Sequence, residues 1–151
     1  MHIRKATNKD APSVKKLITH VLEGEYHASH KVFGTGDLDD IHASYGSKGE
    51  VFFVAEEDNG VVGTVGIKKE DEHTALLRRL FVESGVRGKG YGLKLIEAGI
   101  DFCKHAGYQK IIFRATRDMK AALGACEKKG FKLFHHFVFD GCEMVKLIYM
   151  L

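Results

Sequence analysis

The run Ala75-Leu76-Leu77-Arg78-Arg79-Leu80-Phe81-Val82, followed after a short turn by Arg87-Gly88-Lys89-Gly90-Tyr91-Gly92, decides how this chain is read. The first part is an apolar strand, and the second opens a long segment with an apolar stripe reaching Ala106. Glycine at every second position removes side chains where backbone N–H groups must approach a ligand. The unpaired N–H groups of the helix that follows carry partial positive charge. Strand, glycine-rich turn and helix therefore predict a phosphate or pyrophosphate site, with a plain tight connection as the alternative.

Spacing narrows the ligand. A Walker pattern fails, because Gly85 has only Val86 and Arg87 before Gly88-Lys89 and no Ser or Thr follows the lysine. The dinucleotide fingerprint fails too, since its third glycine falls on Leu93 or on Leu95. The remaining string, Arg-Gly-x-Gly-x-Gly, resembles the acyl-CoA-binding turn Arg/Gln-x-x-Gly-x-Gly/Ala of the GNAT superfamily of N-acetyltransferases, with Arg87, Gly90 and Gly92 on the matching positions. Arg79-Leu80-Phe81-Val82 is similar to the strand that family places before the turn. A second match lies at Glu127, Lys128, Gly130 and Phe131, where members carry Tyr-Glu-Lys-x-Gly-Phe; Cys126 stands in place of the tyrosine.

Composition bounds the rest. With 151 residues, 44% hydrophobic and 28% charged, the chain predicts one domain over 1–151 with a proper core. No apolar run approaches the roughly 18 residues a membrane span needs, and the start lacks a signal peptide's apolar stretch, so the expected location is cytoplasmic. A net charge of +3, from 23 basic and 20 acidic residues, gives no reason to expect nucleic acid or an anionic membrane as partner. Cys103, Cys126 and Cys142 are odd in number and widely spaced, which argues for reduced thiols over disulfides or structural zinc.

In order, Ile3 to Ala6 reads as a strand, and Thr7 to Asp10 caps a helix with apolar Ala11, Val14, Leu17, Ile18, Val21 and Leu22, ending near Gly24. Asp37 to Tyr45 reads as a short second helix. Val51 to Ala55 and Val61 to Ile67 form a hairpin about Asp58-Asn59-Gly60. The Ala75 to Val82 strand leads to a helix from about Lys89 to His105, with Leu93, Ile96, Ile100 and Cys103 on its buried stripe. Lys110 to Ala115 is a strand and Met119 to Lys129 a helix; Phe131 to Asp140 and Cys142 to Leu151 form a hairpin turning at Asp140-Gly141. The order βααβββαβαββ predicts an α/β (α+β) three-layer sandwich with a mixed, mostly antiparallel sheet. That is also the element order of the GNAT fold.

The resemblance implies acetyl-CoA as co-substrate, held by Leu80, Phe81, Val82, Arg87, Gly88, Lys89, Gly90, Tyr91 and Gly92, and an amine acceptor. A second copy of the chain is the candidate protein partner. The chemistry sets its own requirements: a lysine-type amine with pKa near 10.4 is over 99% protonated at pH 7, and holding it neutral costs about 4 to 5 kcal/mol. The tetrahedral oxyanion needs a donor and the departing thiolate gains from an acid. By resemblance the donor is the backbone N–H near Val82 and the acid position is Cys126, while the usual carboxylate base falls on Leu76 and a frequent CoA-contacting asparagine on Met119. These departures keep a non-catalytic acyl-CoA-binding module as the alternative to an N-acetyltransferase.

Other clusters read as structural. His27 and His30 lack a third ligand, so no metal site is expected. Glu23, Glu25, Tyr26 and His27 read as solvated loop, with contact to an amine as the alternative. His135 shares a strand face with Phe131, Leu133, Phe137 and Phe139 and reads as a partly buried structural histidine. Cys103 reads as core, and Lys68-Lys69 and Lys128-Lys129 as solvated surface.

Overall fold

The structure, a computed structural model, describes residues 2–26, 34–58 and 60–151. Strand β1 (His2–Lys5) leads through a 3-10 turn to α1 (Ala11–Gly24), whose buried stripe is Val14, Leu17, Ile18, Val21 and Leu22. Asp10 fixes that junction by accepting the Thr7 N–H at 2.8 Å and both Arg4 guanidinium nitrogens at 2.8 Å. The expected helix from Asp37 to Tyr45 is broken: a 3-10 turn at Gly36–Leu38 precedes α2 (Ile41–Tyr45), which Asp40 restarts by accepting the Ala43 N–H at 3.0 Å. Aspartate competes with the helix backbone as a cap, so Asp40 starts a new turn rather than extending the one before it.

Strands β2 (Val51–Glu57), β3 (Gly60–Lys69) and β4 (Thr74–Val82) follow, then α3 (Tyr91–Ala106), β5 (Lys110–Thr116), α4 (Lys120–Lys128), β6 (Lys132–Phe139) and β7 (Cys142–Met150). The element order is the expected one, and the described residues form a single mixed sheet ordered β1-β2-β3-β4-β5-β7-β6. The β2–β3 hairpin forms as expected, although Asn59 of its turn lies outside the described residues. A Cβ on Gly63 would meet Leu95 of α3, and one on Gly66 would meet Tyr45 of α2. Residues of opposite parity on β3 face opposite sides, so α1 and α2 cover one face while α3, with α4 against it, covers the other.

Two features of β4 position the site. Its register against β3 passes from Thr64↔Phe81 to Gly66↔Arg78, so β4 carries an extra residue, and Arg79 takes φ 55°. Against β5 it pairs in parallel only from Thr74↔Lys110 to Leu77↔Phe113, while β5 continues along β7 to Thr116. Past Leu77 the two strands diverge, and the sheet is split at its middle.

Helix α3 begins at Tyr91, two residues later than expected, because Gly88 and Gly90 take φ of 85° and 82°, which ordinary residues rarely adopt. Leu95 replaces Leu93 on its buried stripe. Strand β6 departs most from expectation. A register shift between Leu133 and His135 breaks the alternation, and this edge strand is open along nearly its whole length, with His135 exposed rather than partly buried. Among the described residues, no helix is long and apolar enough to cross a membrane.

Candidate active site

A cleft of about 510 Å³ opens where β4 parts from β5. One wall is the end of β4, Leu80, Phe81 and Val82; its floor is the turn and first residues of α3, with Arg87, Gly88, Gly90, Tyr91 and Gly92. The opposite wall is α4. Among the described residues, no atom lies within 4 Å of a Cβ added at Gly88 or Gly90, and at Gly92 one would stand 3.8 Å from Val82 and 3.9 Å from Ala125. The helix start is therefore unobstructed, and Gly90 provides no side-chain cap to its first N–H groups. Their positive end faces the cleft floor.

Strand alternation orients the β4 backbone. The Glu83 N–H bonds the Val62 carbonyl at 2.9 Å, so the Val82 N–H turns the other way, away from β3 and into the split. The bulge that permits this is clamped from below. The Thr64 hydroxyl donates to the Arg79 carbonyl at 2.7 Å, and the Arg79 guanidinium, 4% exposed, pairs with Asp37 and donates to the Gly34 carbonyl. Tyr45 donates to the same Asp37 carboxylate at 2.6 Å. Burial pushes that carboxyl up, but the hydrogen bonds from Arg79 and Tyr45 outweigh it and hold it below its ordinary range.

Most of the expected ligand residues come together here, with corrections. Arg87 donates twice to Glu25 and, through Nε at 3.1 Å, to the Val82 carbonyl. It thus ties the turn to the end of α1 and to β4, and its charge is shared with a carboxylate. Lys89 is exposed and does not line the cleft. Lys120 and Lys128 do, so Lys128 is not simply solvated surface, and Lys129 pairs with Glu97. The signal was in the sequence: Lys120, Gly124 and Lys128 recur at intervals of four on one helix face.

Cys126 is 0% exposed, belongs to the core and is absent from the cleft lining. Burial pushes its thiol pKa up, with a smaller contribution from Glu127. The acid expected at that position therefore lacks access to a ligand in the cleft. Tyr26, read as part of a solvated loop, is 5% exposed, lies against Phe81 with ring centroids 6.4 Å apart and lines the cleft. Burial raises its phenol pKa against the lowering effect of Arg87, so it is protonated at neutral pH. His27 and His30 lie outside the described residues, and among those described no group of three or more His, Cys, Asp or Glu could hold a metal.

A second pocket of about 280 Å³ lies on the diverging strands and shares Phe81 with the first. Leu76, Ile112, Met119 and Phe113 supply its apolar surface, and Arg78, Arg79 and Arg114 its charge. Among the described residues, no carboxylate lines it.

Residues 16–131 match the Acetyltransferase (GNAT) family. The chain is 34% identical over 114 residues to the "Probable N-acetyltransferase camello" of Xenopus tropicalis, covering 74% of this chain and 52% of that protein. It thus spans about half the length of several curated relatives it matches. An acetyltransferase of Streptococcus agalactiae superposes with TM-score 0.84 at 20% identity, over 99% of this chain and 98% of that one. A Salmonella typhimurium structure solved with acetyl-CoA as its cofactor gives TM-score 0.83 at 17% identity, over 99% and 92%. At these identities the likeness is one of fold.

Proposed function

The chain belongs to the acetyltransferase (GNAT) family, and from that premise we propose that it transfers acetyl from acetyl-CoA to a primary amine by direct attack. The observation that carries this is the unobstructed start of α3 at the floor of a cleft reaching into the split between β4 and β5. The pyrophosphate belongs on the N–H groups of Gly88 to Gly92, with Lys120 and Lys128 as flanking cations. The pantetheine arm then runs along Leu80 to Val82, adding a strand to the unpaired edge of β4.

The second pocket meets the first at Phe81, so an amine held there faces the thioester. Its nitrogen lone pair attacks the carbonyl carbon, and the Val82 N–H stabilises the oxyanion. The carbon–sulfur bond then breaks as the amide forms. The amine reaches its neutral form by desolvation against Leu76, Ile112 and Met119, with its proton leaving through water. We assign the proton taken up by the CoA thiolate to Tyr26, whose phenol is restored through water by the second proton the nitrogen sheds as the amide forms. A cytoplasmic setting suits the three free cysteines. A second copy of the chain is the proposed protein partner, paired along β6, whose free edge exposes Leu133, Phe134, Val138 and Phe139.

Thiol release from acetyl-CoA across a panel of amines tests the activity, with Gly92→Asp as the paired variant. Aspartate suits the first turn of a helix, so that variant folds while its charge opposes the phosphates. The expected result is acetyl-CoA binding and thiol release by the unmodified protein, both lost in Gly92→Asp. Binding without release from any amine would instead mark a non-catalytic acyl-CoA module.

A further inference from the structure

Of the three guanidinium groups in the second pocket, two have partners. Arg79 is paired with Asp37, and Arg114 lies 3.5 Å from Glu70 on the exposed rim. Arg78 is half-buried and forms no ion pair or hydrogen bond among the described residues. The residues outside that set, Met1, 27–33 and Asn59, include no Asp or Glu, and Asp37, whose carboxylate feels the Arg78 charge without bonding it, is committed to Arg79 and Tyr45. Charged side chains withdrawn from water are ordinarily paired. This one instead lines a pocket with no carboxylate, next to the cleft in which the acyl donor is placed.

We infer that the amine acceptor carries an anionic group, a carboxylate close to the amine, and that Arg78 binds it. The inference rests on the acetyltransferase reading only in treating the pocket's occupant as the acceptor. Arg114, loosely held and exposed, is placed to add a second contact, whereas Arg79 is committed to the bulge. Leu76 and Ile112 stand beside one another across β4 and β5 and form an apolar floor, which leaves room for a short carbon chain between amine and carboxylate. Polyamines and lysine side chains would place a second cation against Arg78 and are disfavoured. The competing account of Arg78 is structural, because its charge also helps keep Asp37 ionised.

Two measurements separate these accounts. In thiol-release assays with free amino acids, their methyl esters and spermidine, the free carboxylates should be the preferred acceptors. Arg78→Ala should then raise their KM roughly 10- to 100-fold, the range lost with a hydrogen bond to a charged group, leave the KM for acetyl-CoA unchanged, and be partly offset by Arg78→Lys. A structural role would weaken all acceptors alike, and equal use of esters or spermidine would overturn the proposal. The second measurement needs no turnover: calorimetry of N-acetylglycine against N-acetylglycinamide on the CoA-loaded protein. A preference for the carboxylate that disappears in Arg78→Ala supports the inference even if no amine is acetylated, in which case only the acetyltransferase reading fails. Equal binding of the two overturns the inference while leaving that reading intact.

Discussion

Tyr26 lines the cleft and Cys126 does not. Cys126 occupies the family's tyrosine position but is packed in the core, whereas Tyr26, at the end of α1, reaches the cleft. Replacing Cys126 by alanine is therefore expected to lower stability by about 1–2 kcal/mol, the usual size for trimming a buried side chain, with kcat unchanged between pH 6 and 9. Tyr26→Phe is expected to do the reverse, keeping the melting temperature and acetyl-CoA affinity while lowering kcat by roughly 10²-fold, as loss of a general acid does. Steady-state kinetics beside thermal melts of both variants checks the pair, and a Cys126→Ala protein with impaired kcat would return the acid role to the thiol.

The clamp on β4 acts at the scale of the element. Arg79 is held at φ 55°, a conformation costing roughly 1–2 kcal/mol for a residue with a Cβ, because Asp37, Tyr45 and Thr64 all bind it or its partner. Asp37→Ala would leave a buried guanidinium unpaired, with an expected loss of about 3–5 kcal/mol and a matching fall in acetyl-CoA affinity as the bulge relaxes. Chemical denaturation alongside calorimetric titration measures both. The pH dependence has a definite sign. The folded-state pKa of Asp37 is depressed below the ordinary 3.8, so the stability it contributes is fully present above that value and is lost as pH falls through the folded value. Asp37→Asn should accordingly flatten the acid limb of the stability curve below about pH 4.

For the whole molecule, the open edge at β6 is the outstanding feature. Leu133, Phe134, Val138 and Phe139 are 55%, 56%, 71% and 55% exposed, on an edge strand that among the described residues pairs only with β7. Antiparallel pairing of β6 with its copy is isologous and closes as a dimer instead of growing into a fibre. Light scattering after gel filtration should give twice 16.8 kDa, and a Val138→Lys, Phe139→Lys double variant should give the monomer with its acetyl-CoA affinity unchanged. A monomer in the unmodified protein at micromolar concentration would rule that interface out.

Local chemistry was legible without coordinates. The element order, the glycines that keep the α3 start clear and the stripe of α1 follow from periodicity, caps and turn residues, because these depend on neighbours within a few positions in the chain. What periodicity and turn chemistry leave open was decided by contacts distant in sequence. Glu25 takes up the charge of Arg87 across 62 residues and Asp37 that of Arg79 across 42, and neither pairing leaves a trace in spacing. One extra residue in β4 and one register shift in β6 reset which side chains face inward, since strand parity inverts at every such slip. The burial of Cys126, the opening of Tyr26 into the cleft and the placing of Arg78 in the second pocket were likewise fixed only when the sheet split between β4 and β5 and brought separate segments around one space.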